Sequence, residues 1–308
     1  MKGLKFLLIL VVIFSGLLAA CSSKPEPSHV QDGLDILVAE SFLADIVQNV
    51  AGSQARVETL VPAGSDPHAF QATPQDVARI ENADLFVING GGLEEWLAPL
   101  MGDGFNTPVV TASEGIVPVI RTQANSEVHR HEEGDPHFWL DPTYVVIYVQ
   151  NIQAALTKAD PAGEAAYAAN ASEYIQQLDD LDQWIMEQKA QIPAANRILV
   201  TNHESLGYYA DRYGFTIAGA VIPSVSSSAA TSAADLSALV DTIEKYRIKA
   251  IFIETGANSN LATQIARETG IVVVDDIYTH SLTGPDGNAP TYLEMMKYNT
   301  SRIVDTLK

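Results

Sequence analysis

Cysteine is almost absent: the 308-residue chain has one, Cys21. That excludes an intramolecular disulfide framework and a cysteine-rich zinc site, and it leaves no second thiol for nucleophilic work. Basic residues are scarce as well, 18 Lys and Arg against 38 Asp and Glu, for a net charge of −20. A surface of that sign argues against nucleic acid as a partner. It suits small cationic ligands, and solubility alone would also account for it. The one long apolar run, Phe6 to Ala20, falls short of the roughly 20 residues of a permanent membrane span. Catalytic signatures are missing too. No GxSxG elbow occurs, and His203-Glu204 begins like HExxH but meets Gly207 where the second histidine belongs. The triglycine 90–92 lacks the strand–GxGxxG–helix context of a dinucleotide site and reads as a turn.

What is present begins at the N-terminus. Lys2 and Lys5, the apolar run and Leu18-Ala19-Ala20-Cys21 have the layout of a secretory signal. Leu-Ala-Ala-Cys resembles the bacterial lipobox, which implies cleavage before Cys21 and acylation of that residue, palmitate being the typical chain. Residues 1–20 are therefore expected to be a lipoprotein signal peptide and 21–33 a lipidated tether. The protein is expected outside the cytoplasmic membrane, held to it through Cys21. Loss of Lys2 and Lys5 with the signal would make the net charge two units more negative.

From residue 34 on, short apolar runs alternate with amphipathic stretches. Strands are expected at Leu34–Ala39, Arg56–Val61, Leu85–Asn89, Pro108–Thr111, Arg197–Thr201, Ala250–Ile253 and Gly270–Val274, with helices between them, and Phe215–Val221 is a further apolar run. Tyr167, Ala171, Tyr174, Leu178, Leu181 and Ile185 recur at helical spacing, uninterrupted by Pro or Gly from Glu164 to Ala190. A helix of that length would span roughly 40 Å. The expected architecture is α/β: two lobes with mainly parallel sheets, 34–160 and 193–308, joined by one long helix within 161–192.

Seven histidines can each be weighed. His29 lies in the tether, and His129 and His131 lie in a polar, acidic loop. The other four, His68, His137, His203 and His280, each follow a predicted strand, two in each lobe. Ligands of parallel α/β sheets bind beyond the carboxyl ends of strands. Four neutral imidazoles meeting between lobes suit a borderline-soft dication, with zinc favoured in a four-coordinate nitrogen site.

With those residues in view, the chain resembles the bacterial metal-binding lipoproteins, the cluster A-I solute-binding proteins of zinc and manganese ABC importers. The lipobox, GSDPHAF, DPHFWLDP, TNHESLGYYADRYG, AIFIE…IARETG and IYTHSLTG occur in the family's order across the whole mature chain. The resemblance implies two α/β lobes bridged by a long helix, with a metal buried between them on His68, His137, His203 and a fourth residue. That fourth residue is commonly aspartate in the family, and here it is His280. Histidine at the third and fourth positions points to Zn²⁺ ahead of Mn²⁺, which prefers harder carboxylate oxygens. Asp66, Asp135 and Glu254 are candidates to orient the imidazoles, Glu254 being also the reserve ligand. The implied function is a receptor, not an enzyme, that delivers metal to an ABC permease and its ATPase. A monomer is expected. Two other classes compete: a membrane-anchored zinc-dependent hydrolase with three histidines and a water, and an adhesin or structural lipoprotein that holds no stoichiometric metal.

Overall fold

The first strand, β1 (Leu34–Val38), explains the plan of its lobe. Its residues alternate: Ile36 and Val38 face one core, Leu37 and Ala39 another. A strand apolar on both sides must be covered on both sides, as parallel sheets require. β1 pairs in parallel with β2 (Ala55–Thr59) and β3 (Leu85–Ile88), and β3 pairs with β4 (Val109–Thr111), giving the order β2-β1-β3-β4. The second lobe repeats that order with β5 (Ile198–Thr201), β6 (Thr216–Ala220), β7 (Ala250–Glu254) and β8 (Val272–Ile277), again all parallel, as β6-β5-β7-β8. Each expected strand is present. The structure, a computed structural model, describes residues 33–102, 104–120 and 134–308. The expected signal peptide, Cys21, His29, His129 and His131 lie outside those residues.

Helix starts follow local chemistry. α1 (Ser41–Ala51) follows β1 directly. α2 (Pro74–Glu81) starts on a reciprocal cap: the Thr73 side chain accepts the Asp76 N–H, and Asp76 accepts that of Thr73. α3 (Pro142–Ala159) starts on Asp141, whose carboxylate accepts the Thr143 N–H at 2.9 Å. Then comes α4 (Glu164–Lys189), the expected long helix, 26 residues with Tyr167, Ala171, Tyr174, Leu178, Leu181 and Ile185 buried. The second lobe adds α5 (Gly207–Tyr213), α6 (Ala233–Tyr246), α7 (Asn260–Thr269) and α8 (Tyr292–Leu307).

α4 packs on α1 and α3 from one lobe and on α8 from the other. One apolar core therefore runs through both lobes, from Phe42 and Tyr148 to Tyr209, Phe252 and Met295. Smaller cores cover the outer faces of the two sheets. A polar clamp adds to the helix: Asp182, in its buried stripe, takes the Arg212 guanidinium at 2.6 and 3.0 Å and the Tyr213 hydroxyl at 2.9 Å. A shared core and a stiff helix restrict how far the lobes can part. Among the described residues, no helix is long and apolar enough to cross a membrane.

Candidate metal centre

Each sheet sends its strand ends toward the other lobe, and the four histidines sit on the loops that follow. After β2 the chain reaches Asp66, whose Oδ1 accepts the His68 N–H at 3.0 Å and starts the single turn Pro67–Ala69. The other Asp66 oxygen accepts the hydroxyl of Ser227, in the Ser/Ala-rich loop of the opposite lobe. After β4, Asp135 Oδ1 accepts the His137 backbone N–H at 3.0 Å and lies 2.8 Å from its ring Nδ1. The next three residues, Phe138, Trp139 and Leu140, are buried, and the Trp139 ring stacks on Phe42 with centroids 4.2 Å apart. Gly91 makes room for this turn, since a Cβ there would lie 2.6 Å from the Phe138 ring. The triglycine is thus a packing turn. His203 stands two residues beyond β5, with the Thr201 hydroxyl bonded to its carbonyl at 2.6 Å. His280 stands three residues beyond β8.

The four imidazoles converge. Nε2 of His137 lies 3.4 Å from that of His68 and 3.2 Å from those of His203 and His280. One nitrogen from each of the four lies within 4.8 Å of every other. His137 and His203 are wholly buried, the other two partly. The expected orienting residues divide into three roles. A carboxylate oxygen that already takes the His137 backbone N–H acts as acceptor, so Asp135 fixes the ring proton of His137 on Nδ1 and leaves the Nε2 lone pair facing the cluster. Glu254 Oε1 lies 3.0 Å from His203 Nδ1, in ion-pair range but off the line of the ring N–H. It accepts the Ser205 hydroxyl at 2.9 Å. Glu254 therefore stands behind the imidazole, and His280, not Glu254, faces the cluster. Asp66 holds the His68 turn through the backbone.

The electrostatics are uneven. Burial, joined by the other three rings, pushes His280 well below the usual histidine range. Burial also lowers His137, against the pull of Asp135. For His203 burial is outweighed by Glu254, with help from Asp66 and Asp135, and its pKa rises. Burial would raise Glu254, but His203, Ser205 and Asn202 hold it below the ordinary carboxylate range. His137 and His280 are thus biased toward neutral donors, while the carboxylates around His203 favour its charged form until a cation replaces the proton.

A cavity of about 420 Å³ opens beside His203 and His280, lined also by Asp66, Glu254, Ser227 and Ser281. Its walls come from both lobes and meet closely. The Gly64 N–H donates to Ser281 Oγ at 2.7 Å, and a Cβ on Gly256 would come within 3.0 Å of the Gly64 carbonyl. Sequence reasoning missed several supporting residues. One is Thr279, whose Oγ1 is 2.9 Å from His280 Nδ1 and whose carbonyl accepts the Trp139 indole N–H at 2.7 Å. Another is Asn89, which donates to the Pro136 carbonyl at 3.0 Å. Thr279 adjoins a histidine in the IYTH stretch, and that adjacency was the one available signal.

Two parallel-sheet lobes bridged by one long helix, with histidines of both lobes converging between their strand ends, define the substrate-binding proteins of metal ABC importers. The chain belongs to the ZnuA family: the family model described as zinc-uptake complex component A, periplasmic, matches residues 36–306. Among its relatives is the manganese-binding lipoprotein MntA of Halalkalibacterium halodurans, 32% identical over 309 residues, covering 100% of this chain and 99% of that protein. The iron-binding protein YfeA of Yersinia pestis is 30% identical over 298 residues, 96% of this chain and 94% of its own. Of solved structures, the periplasmic zinc binding protein TroA from Treponema pallidum superposes with TM-score 0.80 at 28% identity, covering 89% of this chain and 99% of that one. The Mn-bound periplasmic metal binding protein from candidatus liberibacter asiaticus gives 0.77 at 32% identity, covering 89% and 100%.

Proposed function

We propose that the protein captures zinc outside the cytoplasmic membrane on His68, His137, His203 and His280 and delivers it to an ABC permease driven by an ATPase, while anchored through Cys21. The observation that carries this reading is the convergence of four Nε2 atoms. A tetrahedral ion with bonds of about 2.0–2.1 Å to nitrogen has ligands about 3.3–3.4 Å apart. The separations from His137, 3.2–3.4 Å, lie close to that edge. The chemistry of the donors favours zinc over manganese, because all four are imidazole nitrogens and the carboxylates stand behind them. Relatives named for manganese and iron make this a claim about the metal of this chain in particular. Four imidazoles around one tetrahedral ion leave no position for a hydrolytic water, which argues against the hydrolase reading.

The supporting experiment is thermal denaturation with and without zinc. An ion bound only by the folded state stabilises it by about 2.7 kcal/mol at a hundredfold excess over Kd. For a chain of this size that is roughly 5–10 °C in Tm. His203→Ala should abolish most of the shift, and a full shift in that variant would remove His203 from the site.

A further inference from the structure

We propose that Thr279 is a positioning residue for the fourth imidazole, and that its hydroxyl holds His280 less firmly in the metal-binding tautomer than the Asp135 carboxylate holds His137. The inference rests on the four-histidine reading above. His137 has a carboxylate hydrogen-bonded at Nδ1, at 2.8 Å, whereas the carboxylate 3.0 Å from His203 Nδ1 lies off the line of its N–H. At Nδ1 of His280 stands the Thr279 hydroxyl, 2.9 Å away. The two kinds of partner differ in what they permit. A carboxylate only accepts, so the ring must carry its proton on Nδ1 and offer Nε2 to the ion. A hydroxyl can accept from Nδ1–H or donate to a bare Nδ1. In the second arrangement the His280 proton sits on Nε2 and points at His137, and the ring cannot bind a metal there.

Thr279 is well placed to hold the ring all the same. Its side chain is 2% exposed, and a β-branched residue has few χ1 choices. Its carbonyl is pinned by the Trp139 indole, and the Trp139 carbonyl takes the Tyr292 hydroxyl at 2.7 Å. Trp139 also lies against both His137 and His280, with ring centroids 5.2 and 5.7 Å away. Thr279 therefore joins His280 to the turn that carries His137. Removing the hydroxyl leaves a buried Nδ1–H without its acceptor in the metal-binding form and takes away the contact that aims the ring at the ion. Loss of a group that orients a metal-binding histidine commonly costs 10–100-fold in affinity.

The test is chelator-driven zinc release from the full-length protein, with affinity from competitive titration. Thr279→Val should bind zinc 10–100-fold more weakly and release it correspondingly faster, while Thr279→Ser should stay within about threefold of the parent. Because Thr279 acts through His280, Thr279→Val in a His280→Ala background should add no further loss. Imidazole ¹⁵N shifts give an independent reading: the hydrogen-bonded Nδ1 proton of His280 should be present in the zinc-loaded parent and Thr279→Ser and missing in Thr279→Val. Parent-like release by Thr279→Val, or an equal loss with and without His280, would overturn the proposal. Failure of the parent to bind zinc, or His280→Ala binding as tightly as the parent, would instead overturn the reading of the site.

Discussion

Asp135→Asn isolates the charge behind His137 from the shape around it. Asp135 and His137 are both fully enclosed, and one carboxylate oxygen takes both the backbone N–H and the ring N–H of the histidine. An asparagine amide oxygen can occupy the same place, so both of these bonds survive while the negative charge is lost. With less charge behind it the imidazole is a poorer donor, and an ion of charge +2 loses a buried neighbour of opposite sign. A change of this kind costs about 10–100-fold in affinity, or about 1.4–2.8 kcal/mol. Asp135→Ala is the less informative variant: it leaves two buried N–H groups without an acceptor, at about 1–3 kcal/mol each, and damages the fold together with the site. The assay is zinc affinity by competition with a chelator, alongside the Tm of the metal-free protein. Asp135→Asn should lose affinity while keeping its Tm within a few degrees. An affinity within twofold of the parent would refute the argument that carboxylates behind the rings compensate the ion.

Two further outcomes follow from other parts of the chain. Cys21→Ser should move the protein from membranes to the soluble fraction on cell fractionation, and persistent membrane association after signal cleavage would contradict the lipoprotein assignment. Glu40→Gln should change how stability depends on pH. Glu40 is 1% exposed; burial, and then the neighbouring Glu94, raise its pKa well above normal. Burial likewise pushes Glu94 up to about 7, although Asn89 and Gly90 donate to it. The folded state thus keeps a proton that the unfolded chain releases near pH 4.5, and stability should fall as pH rises from there toward 7. Glutamine removes the Glu40 share of that loss, so the variant should gain on the parent across this window. Parallel pH profiles of denaturant stability would rule the argument out.

The sheets were legible because strands such as β1 and β7 are covered on both faces and so read as unbroken apolar runs. The long helix was legible from its spacing, but not the role of Asp182, an acid within that apolar stripe that clamps Arg212 and Tyr213. The four histidines could be chosen because parallel sheets place ligands at strand ends. Their partners could not, since ring orientation is decided by contacts between distant segments. The two Asp-Pro-His tripeptides make the point. Asp135 reaches the imidazole of its own histidine, whereas Asp66 holds a backbone N–H and turns its other oxygen to Ser227, far away in sequence. Glu40 offered no signal either. It follows an apolar strand and looks like an ordinary helix-start residue, and only the packing of Glu94 against it makes it a buried acid.

The most direct test of the account is competitive titration of zinc against manganese on the purified parent and on His280→Asp, with the bound metal measured by elemental analysis. The parent should take up one zinc and prefer it clearly over manganese, because its donors are four imidazole nitrogens. Replacing His280 with a hard carboxylate should shift that preference toward manganese. A parent that holds manganese more tightly than zinc, or a preference unmoved by His280→Asp, would contradict the claim that these four histidines select the metal.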